Sequence, residues 1–217
     1  MGNISEVMNI LGRHFDVSRR TTLNRMRGSG EPDAFKILIG CLVSINIKDE
    51  VCEKILDELF SKAGSFDELL EIDDDKLEGI LYLARYRRVK AARLKQVSRE
   101  VLERFEGEVP SNKEDLLSIK GIGPKTCNVV LSFAFGKPVI PVDSNTIRIA
   151  NRLGWIDSEK ADEVEMLLVE KLDEDDLRGA NAIFMLHGKN ICTPISPFCS
   201  SCPVEGVCMK IGVEKTR

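Results

Sequence analysis

Four of the seven cysteines lie close together near the end of the sequence, with the spacing C-x6-C-x2-C-x5-C. They are Cys192, Cys199, Cys202 and Cys208. Clustered thiols in a chain without secretory features usually bind metal or take part in redox chemistry. Structural zinc sites tend to use two separated C-x2-C pairs, whereas a cubane iron–sulfur cluster needs four thiolates, which one short segment supplies here. We therefore expect a [4Fe-4S] cluster on these cysteines, with zinc as the alternative.

A second chemical feature is Lys125, which follows a turn in residues 116–130, LLSIKGIGPKTCNVV. Pro124 favours the first helical position, so Lys125 is predicted to lie in the first turn of a helix. The positive field at a helix N-terminus disfavours a charged lysine and would lower its pKa. A neutral lysine amine is a nucleophile toward a sugar carbon or an aldehyde, with which it forms a Schiff base. The plainer alternative is a lysine that extends into water.

The two glycines of this turn, Gly121 and Gly123, allow another molecule to approach the backbone closely. Backbone N–H groups at the start of the following helix would then attract a phosphate oxygen. Because such a contact does not read bases, it would position DNA without specifying sequence. The alternative is that the glycines only form a tight connection between two helices.

Asp143 lies in a second segment with chemical potential, PVDSNTIRIANRLGW, at the start of another predicted helix. It could be an ordinary N-cap residue. It could also face Lys125 across a cleft, where its carboxylate would stabilise positive charge on a deoxyribose or accept a proton from the attacking amine. The sequence leaves both interpretations open.

Composition and charge limit the class of protein and its partners. Hydrophobic residues make up 43% and charged residues 30% of the chain, as in globular proteins with a core. The formal net charge is −4, but residues 85–95, RYRRVKAARLK, contain six basic residues and no acidic one. Such a stripe indicates either a nucleic-acid surface or a solvated helix face. No apolar run is long enough to span a bilayer and no signal core is present, so we expect a cytoplasmic protein.

The elements that must position these residues are almost all predicted helices, and the fold class is therefore all-α. Residues 34–47, AFKILIGCLVSINI, predict a buried helix because polar residues are nearly absent. Capping boxes at Ser65–Glu68 and Ser111–Glu114 predict two further helix starts. Gly107 is expected to end a long helix over residues 89–106.

The segment LLSIKGIGPKTCNVVLSFAFGKPVIPVD resembles the helix-hairpin-helix/Gly-Pro-Asp motif of the endonuclease III family of DNA glycosylases. LHGKNIC and the cysteine spacing resemble the iron–sulfur loop of that family. The resemblance extends from about residue 30 to residue 210 and implies the helix-hairpin-helix DNA glycosylase fold. A six-helix domain, expected at residues 27–137, would face a [4Fe-4S] cluster domain made of residues 1–26 and 138–217, with a DNA-binding cleft between them.

The resemblance also implies a function, which is base excision repair of double-stranded DNA. The enzyme would flip a damaged base from the duplex, break its N-glycosidic bond and nick the strand by β-elimination through a Schiff base. Lys125 falls on the nucleophilic lysine of the family and Asp143 on its catalytic aspartate. Gly121 and Gly123 fall on the DNA-binding hairpin glycines, and the four clustered cysteines on the cluster ligands. Relatives that only remove bases generally lack the lysine, which argues for a glycosylase with AP lyase activity.

Some residues differ from the family pattern, and these differences bear on which bases the enzyme would remove. The segment VSINIKD puts Asn46 where endonuclease III has a glutamine that fills the gap left by the flipped base. ARYRR puts Tyr86 at a wedge position that is often leucine, and VDSNT puts Asn145 in place of a histidine. The segment between the first two clustered cysteines lacks basic residues, and Lys189 could contact phosphate instead.

These departures leave the target base open. Oxidised pyrimidines are the family default, and mismatched thymine, uracil or adenine are the alternatives. A base-removing enzyme without lyase activity, a non-catalytic DNA-binding iron–sulfur module and an electron carrier are the competing functions. Lys125 and Asp143 argue against the DNA-binding module, which needs neither. An electron carrier needs little beyond the cluster segment, whereas most of this chain lies outside it. We expect the protein to act as a monomer.

Overall fold

The computed structural model describes residues 3–15 and 32–217, and this part of the chain contains eleven α-helices, two short 3-10 helices and no strand. The all-α prediction is therefore confirmed. The described residues divide into two compact units. We call residues 32–136 the hairpin unit, and residues 3–15 together with 137–217 the cysteine unit. The predicted boundary between residues 26 and 27 lies outside the described residues, and the predicted domains stay a prediction.

The hairpin unit consists of seven helices, where the resemblance implied six. They are α2 (Ala34–Ser44), α3 (Asp49–Phe60), α4 (Phe66–Glu71), α5 (Asp74–Ile80), α6 (Arg87–Phe105), α7 (Lys113–Ser118) and α8 (Pro124–Phe135). Extended backbone at Ile72, with φ −67° and ψ 123°, separates the two short helices α4 and α5. The helix α2 packs against α3, α6 and α8 and lies at the centre of the unit.

The burial of α2 confirms the prediction made from its apolar sequence, since every residue from Ile37 to Val43 is buried. Asp33 begins the helix by accepting a hydrogen bond from the N–H of Lys36 at 3.0 Å. The helix ends at Ser44 rather than at residue 47 because Asn46 adopts a left-handed backbone with φ 58°. The long helix α6 is bounded in the same way, by left-handed residues at Tyr86 and Glu106.

Both predicted capping boxes differ in detail from the structure. Ser65 accepts a hydrogen bond from the N–H of Glu68 at 3.2 Å, as predicted. The Glu68 carboxylate, however, accepts from the N–H of Gly64 at 2.6 Å, one residue before the expected donor. At α7 the N-cap is Asn112 rather than Ser111, and its side-chain oxygen accepts from the N–H of Asp115 at 2.9 Å. Asn is as good an N-cap as Ser, so the sequence alone could not separate the two.

The cysteine unit contains the remaining four α-helices. They are α1 (Ile4–His14), α9 (Ser144–Leu153), α10 (Ala161–Lys171) and α11 (Glu174–Asn190), followed by 3-10 helices at Cys199–Ser201 and Glu205–Val207. The helices α1 and α9 each pack against α11. Trp155 lies in the core, with its ring centroid 6.0 Å from that of Phe184. Among the described helices, none has the length and apolarity to cross a membrane.

Candidate functional site

The turn before α8 is shaped by two glycines that play different structural roles. Gly121 has φ 106°, and a Cβ there would lie 3.2 Å from Cγ of Arg93. Glycine is therefore required at this position by both the backbone and its neighbour. Gly123 has φ −99° and ψ 174°, which any residue adopts, and a Cβ there would meet no atom within 4 Å. The fold itself does not demand glycine at position 123, so the open space remains for another molecule.

Lys125 lies in the first turn of α8, exposed to solvent and one residue after Pro124 at the helix start. This position is the one predicted from the sequence. Behind it, the buried thiol of Cys41 on α2 interacts with Thr126 and with the charge of Lys125. Burial raises the pKa of Cys41 to about 11, and the Thr126 hydrogen bond and the Lys125 charge offset part of this rise. The helix α2 therefore lies directly behind the N-terminal turn that carries Lys125.

Asp143 is the N-cap of α9 and is half-buried. Its Oδ1 accepts hydrogen bonds from the N–H groups of Asn145 at 2.9 Å and Thr146 at 3.0 Å. The hydroxyl of Thr146 also lies 3.3 Å from the same oxygen. The N-cap interpretation is thus correct, and these bonds hold the carboxylate in one orientation, which a catalytic role would also need. Lys125 belongs to the hairpin unit and Asp143 to the cysteine unit, so their facing each other stays a prediction.

A half-buried arginine connects the start of α9 with the first clustered cysteine. Arg148 donates from one nitrogen to Oδ1 of Asn145 at 2.8 Å and to the carbonyl of Gly188 at 3.2 Å. Its Nε donates to the carbonyl of Cys192 at 3.0 Å. A Cβ at Gly188 would lie 2.5 Å from Oδ1 of Asn145, so glycine at that position permits the close approach of α9 and α11. The residues around Asp143 are therefore firmly fixed within the cysteine unit.

The four clustered cysteines line one cavity in the cysteine unit, together with apolar side chains that include Ile149, Leu153 and Val204. All four thiols are free and partly buried. Arg152 donates to Sγ of Cys192 at 3.3 Å and to the carbonyls of Thr193 and Pro194 at 2.8 Å each. The thiol of Cys208 donates to the carbonyl of Arg152 at 3.4 Å. The hydrogen bonds of Arg152 thus connect both ends of the cysteine-bearing loop, residues 192–208, to α9.

The environment of two of these thiols, those of Cys202 and Cys208, opposes their ionisation. Burial raises the pKa of Cys202 to about 11. A hydrogen bond from the Val204 backbone offsets part of this rise, and the charges of the other three cysteines add to it. Burial likewise raises the pKa of Cys208. Thiolates in such a cavity are favoured when they bind a positively charged group. Within the described ranges, no group of three or more His, Cys, Asp or Glu side chains is arranged to hold a metal ion.

His187 packs beside this cavity, with Nε2 at 3.8 Å from Sγ of Cys202 and its ring 5.9 Å from that of Phe15. Only 2% of the residue is exposed. Burial lowers the pKa of His187 to about 4, and the nearby charges of His14 and Arg148 lower it further. The side chain is therefore neutral at physiological pH, in agreement with a packing role.

Asn46 and Tyr86, two of the residues that depart from the family pattern, are both exposed and both adopt left-handed backbone conformations, with φ 58° and 59°. Such conformations are uncommon for residues other than glycine and often occur at functional sites. Tyr86 is 67% exposed and stands beside two more exposed apolar side chains, those of Tyr82 and Val89. Exposed aromatic and basic side chains together are typical of a surface that binds nucleic acid.

The basic stripe of residues 85–95 is not a uniform surface. Arg85, Arg87 and Arg88 are exposed, whereas Lys90 and Lys95 are buried on the inner side of α6. Both buried lysines donate to backbone carbonyls at the ends of other helices. The interpretation as a simple solvated helix face is therefore wrong for these two residues.

The remaining predicted contact, Lys189, is exposed at the end of α11, near the cysteine-bearing loop. Sequence reasoning missed the structural roles of Lys90, Arg148 and Arg152. The signal in the sequence was a basic residue at a position where the helical periodicity calls for an apolar one. Such a residue indicates a buried cation with partners.

Comparison with known proteins identifies the class of protein to which this chain belongs. Residues 39–174 match the family model described as HhH-GPD superfamily base excision DNA repair protein. The matched residues include Lys125, Asp143 and the turn between α7 and α8. The chain therefore belongs to the HhH-GPD superfamily of base excision DNA repair proteins.

Relatives narrow this assignment. The chain is 33% identical over 193 residues to endonuclease III of Thermotoga maritima, covering 89% of this chain and 91% of the relative. It is 30% identical to endonuclease III of Bacillus subtilis, covering 80% of each. A solved structure of a trapped endonuclease III–DNA covalent intermediate superimposes with a TM-score of 0.80 at 25% identity, covering 95% of this chain and 94% of that one. Within the superfamily, the protein belongs to the endonuclease III family and is a base excision repair DNA glycosylase.

Proposed function

We propose that this glycosylase also acts as an AP lyase, with Lys125 as the nucleophile. The observation that carries the proposal is the exposed position of Lys125 in the first turn of α8, directly behind the open Gly123. A lysine needed only for stability has no reason to lie at the helix end that disfavours its charge. The solved covalent complex of a related endonuclease III with DNA supports the same conclusion.

In the proposed reaction, the amine of Lys125 attacks C1′ of the damaged nucleotide and loses a proton, and the N-glycosidic bond breaks as the base leaves with the bonding electrons. The sugar ring then opens to give a Schiff base between the amine and C1′. Loss of a proton from C2′ expels the 3′ phosphate and nicks the strand. Water finally hydrolyses the Schiff base and regenerates the free lysine.

Asp143 is proposed as the carboxylate that assists this attack. It would stabilise positive charge as it develops on the deoxyribose, or accept the proton that the amine loses. The two N–H bonds to its Oδ1 fix the direction of the carboxylate. This role requires the sugar to lie between Asp143 and Lys125.

DNA would be held without regard to sequence by the turn before α8. Gly123 is the N-cap of a twelve-residue helix and contributes no capping side chain, so the first N–H groups of α8 can donate to a phosphate. Gly121 gives the turn its shape, and Lys189 would add a second phosphate contact. We also propose that the protein acts as a monomer in the cytoplasm and is bound to the nucleoid when it holds DNA.

We propose that the four clustered cysteines hold a [4Fe-4S] cluster. The residues support such a group, because the four cysteines line one largely apolar cavity and burial disfavours the free thiolates of Cys202 and Cys208. When bound, the cluster would supply a covalent link between Cys192 and Cys208 that stabilises the loop. Zinc remains the alternative occupant, and the visible absorption of the purified protein distinguishes the two.

The proposed target is an oxidised pyrimidine, the default of the family. Asn46 and Tyr86 favour a second candidate, a mismatched thymine, uracil or adenine, because both differ from the residues common in endonuclease III. A panel of duplexes that contain thymine glycol, G·T, G·U or G·A pairs decides between them. Base release from thymine glycol at least about tenfold faster than from any mismatch would support the first candidate.

Strand nicking at an abasic site tests the lyase proposal directly. The wild-type protein and Lys125→Gln would be incubated with abasic duplex DNA without alkali, and nicked products would be separated on a denaturing gel. We expect nicking by the wild type and none above background by the variant. Lys137→Gln is the matched control, since Lys137 is also exposed but follows the other end of α8. Undiminished nicking by Lys125→Gln would overturn the nucleophile assignment.

A further inference from the structure

A buried lysine connects the turn that carries Asn46 with the turn that carries Tyr86. Only 8% of Lys90 is exposed, although it belongs to the basic stripe of α6. Its Nζ donates to the carbonyl of Ile45 at 2.7 Å and to that of Val43 at 3.1 Å. Ile45 directly precedes Asn46, so the side chain of Lys90 holds the backbone on which Asn46 turns outward.

The charge of Lys90 suits this position. The last carbonyls of a helix lack partners within the helix and carry partial negative charge, which a cation stabilises. Here those carbonyls belong to the end of α2, which stops at Ser44. Burial lowers the pKa of Lys90 and the nearby charge of Arg93 lowers it further, so the carbonyl bonds are what make its buried cation tolerable. An apolar side chain at position 90 would leave these buried carbonyls without a donor.

The backbone of the same residue holds the second turn. The N–H of Lys90 donates to the carbonyl of Tyr86 at 3.0 Å, which closes the first turn of α6. Tyr86 and Asn46 both have positive φ, a conformation that side-chain-bearing residues keep only when their surroundings fix it. A single residue thus supports both strained turns, one through its side chain and the other through its main chain.

We propose that Lys90 is a positioning residue that sets Asn46 relative to Tyr86, so that both engage the DNA duplex at once. Tyr86 enters the base stack, and Asn46 occupies the space left by the extruded nucleotide. This inference rests on the proposed function and deepens it. Its consequence is specific, because a gap opposite an extruded nucleotide exists in duplex DNA and not in a single strand. Lys90 therefore contributes to action on duplex DNA and leaves action on single-stranded DNA unchanged.

A purely structural role is the alternative, and the chain contains a matched control for it. Lys95 is also a buried lysine of α6, is 7% exposed, and donates to the carbonyls of Leu70 at 2.7 Å and of Ile72. It caps the end of α4 as Lys90 caps the end of α2. No residue proposed to contact DNA lies beside those carbonyls. Replacement of Lys95 therefore removes an equivalent buried lysine without disturbing Asn46 or Tyr86.

The experiment measures single-turnover nicking of an abasic site placed in a duplex and in the same strand alone. We compare the wild type, Lys90→Met and Lys95→Met, after thermal melting shows which variants are folded. For Lys90→Met we expect the ratio of duplex to single-strand rates to fall at least about tenfold, as for loss of one well-placed buried contact. For Lys95→Met the ratio should stay within about twofold of the wild type.

The outcomes separate the two proposals. If the wild type nicks neither substrate, the lyase function fails and the positioning role fails with it. If the wild type nicks both and Lys90→Met keeps the wild-type ratio, only the positioning role is overturned. A fall of both rates by the same factor in Lys90→Met and Lys95→Met would likewise overturn it, since that is the pattern of a structural lysine.

A second variant covers the case in which Lys90→Met does not fold. Lys90→Gln keeps a donor but shortens the reach and removes the charge, and it is combined with Asn46→Gly, which tolerates the left-handed turn. We expect Lys90→Gln to lower the duplex to single-strand ratio in the wild-type background and to have no further effect when Asn46 is absent. Equal effects in both backgrounds would show that Lys90 does not act through Asn46.

Discussion

At the scale of single residues, this protein uses the ends of helices as places for chemistry. Lys125 occupies the first turn of α8, and Asp143 caps the start of α9. A helix start offers N–H groups that can bind a phosphate or orient a carboxylate, and it disfavours a charged lysine. The structural role of Asp143 as an N-cap and its proposed catalytic role depend on the same hydrogen bonds, so the two interpretations are compatible.

Asp143→Asn separates these two roles. Asparagine caps helices as well as aspartate does, so we expect the free energy of unfolding to change by less than about 0.5 kcal/mol. Removal of the negative charge should slow base release by about 10²- to 10⁴-fold. Single-turnover base release from damaged duplex DNA, together with thermal melting, measures both effects. Wild-type base release by a folded Asp143→Asn variant would show that the carboxylate charge is not needed.

At the scale of elements, the turn between α7 and α8 shows which features a sequence can predict. The spacing of Gly121, Gly123 and Pro124 predicted the turn and the helix start correctly, because these residues have strong local preferences. The roles of the two glycines could not be separated in this way. Only the structure shows that position 121 needs positive φ while position 123 has open space. Such differences depend on neighbours that are distant in sequence.

Substitution of the two glycines should therefore have different consequences. Gly121→Ala forces a side chain into a left-handed region beside Arg93 and should destabilise the fold by about 1–3 kcal/mol. Gly123→Ala meets no neighbour, so it should cost about 1 kcal/mol or less and mainly weaken binding to undamaged duplex DNA. Denaturant unfolding and fluorescence anisotropy with labelled DNA measure the two effects. Wild-type affinity of Gly123→Ala would contradict the phosphate contact.

The buried basic residues show which features sequence analysis does not predict. Lys90 and Lys95 belong to a stripe that composition identifies as a basic surface, and their burial depends on carbonyls of α2 and α4 that lie elsewhere in the sequence. The same holds for Arg152, whose partners belong to the cysteine-bearing loop. A basic residue is rarely buried, so exposure was the reasonable expectation. The apolar residues that share a helix face with Lys90 are a weak signal of burial, and only the tertiary contacts identify its partners.

At the scale of the whole molecule, each unit carries one of the two proposed catalytic residues. The hairpin unit is organised around the buried helix α2, behind the turn that presents Lys125. The cysteine unit joins Asp143 to the loop of clustered cysteines through Arg148 and Arg152. Within the cysteine unit, the fold around Asp143 should therefore depend on whether the cysteines hold their proposed cluster.

Cys202→Ser tests this dependence. We expect loss of the visible absorption of the cluster and earlier proteolysis of the cysteine-bearing loop, because one of four ligands is removed. Cys52→Ser is the control, since Cys52 is a buried thiol of the hairpin unit outside the cluster segment. It should keep the visible spectrum even where it lowers stability. An unchanged spectrum in Cys202→Ser would refute the proposed ligand set.

The most direct test of the central claim is borohydride trapping of the Schiff base. Purified protein is mixed with duplex DNA that contains an abasic site, sodium borohydride is added, and covalent protein–DNA complexes are resolved on a denaturing gel. We expect a trapped complex for the wild type and for Lys137→Gln, and none for Lys125→Gln. A trapped complex of equal yield with folded Lys125→Gln, or none with the folded wild type, would contradict this claim.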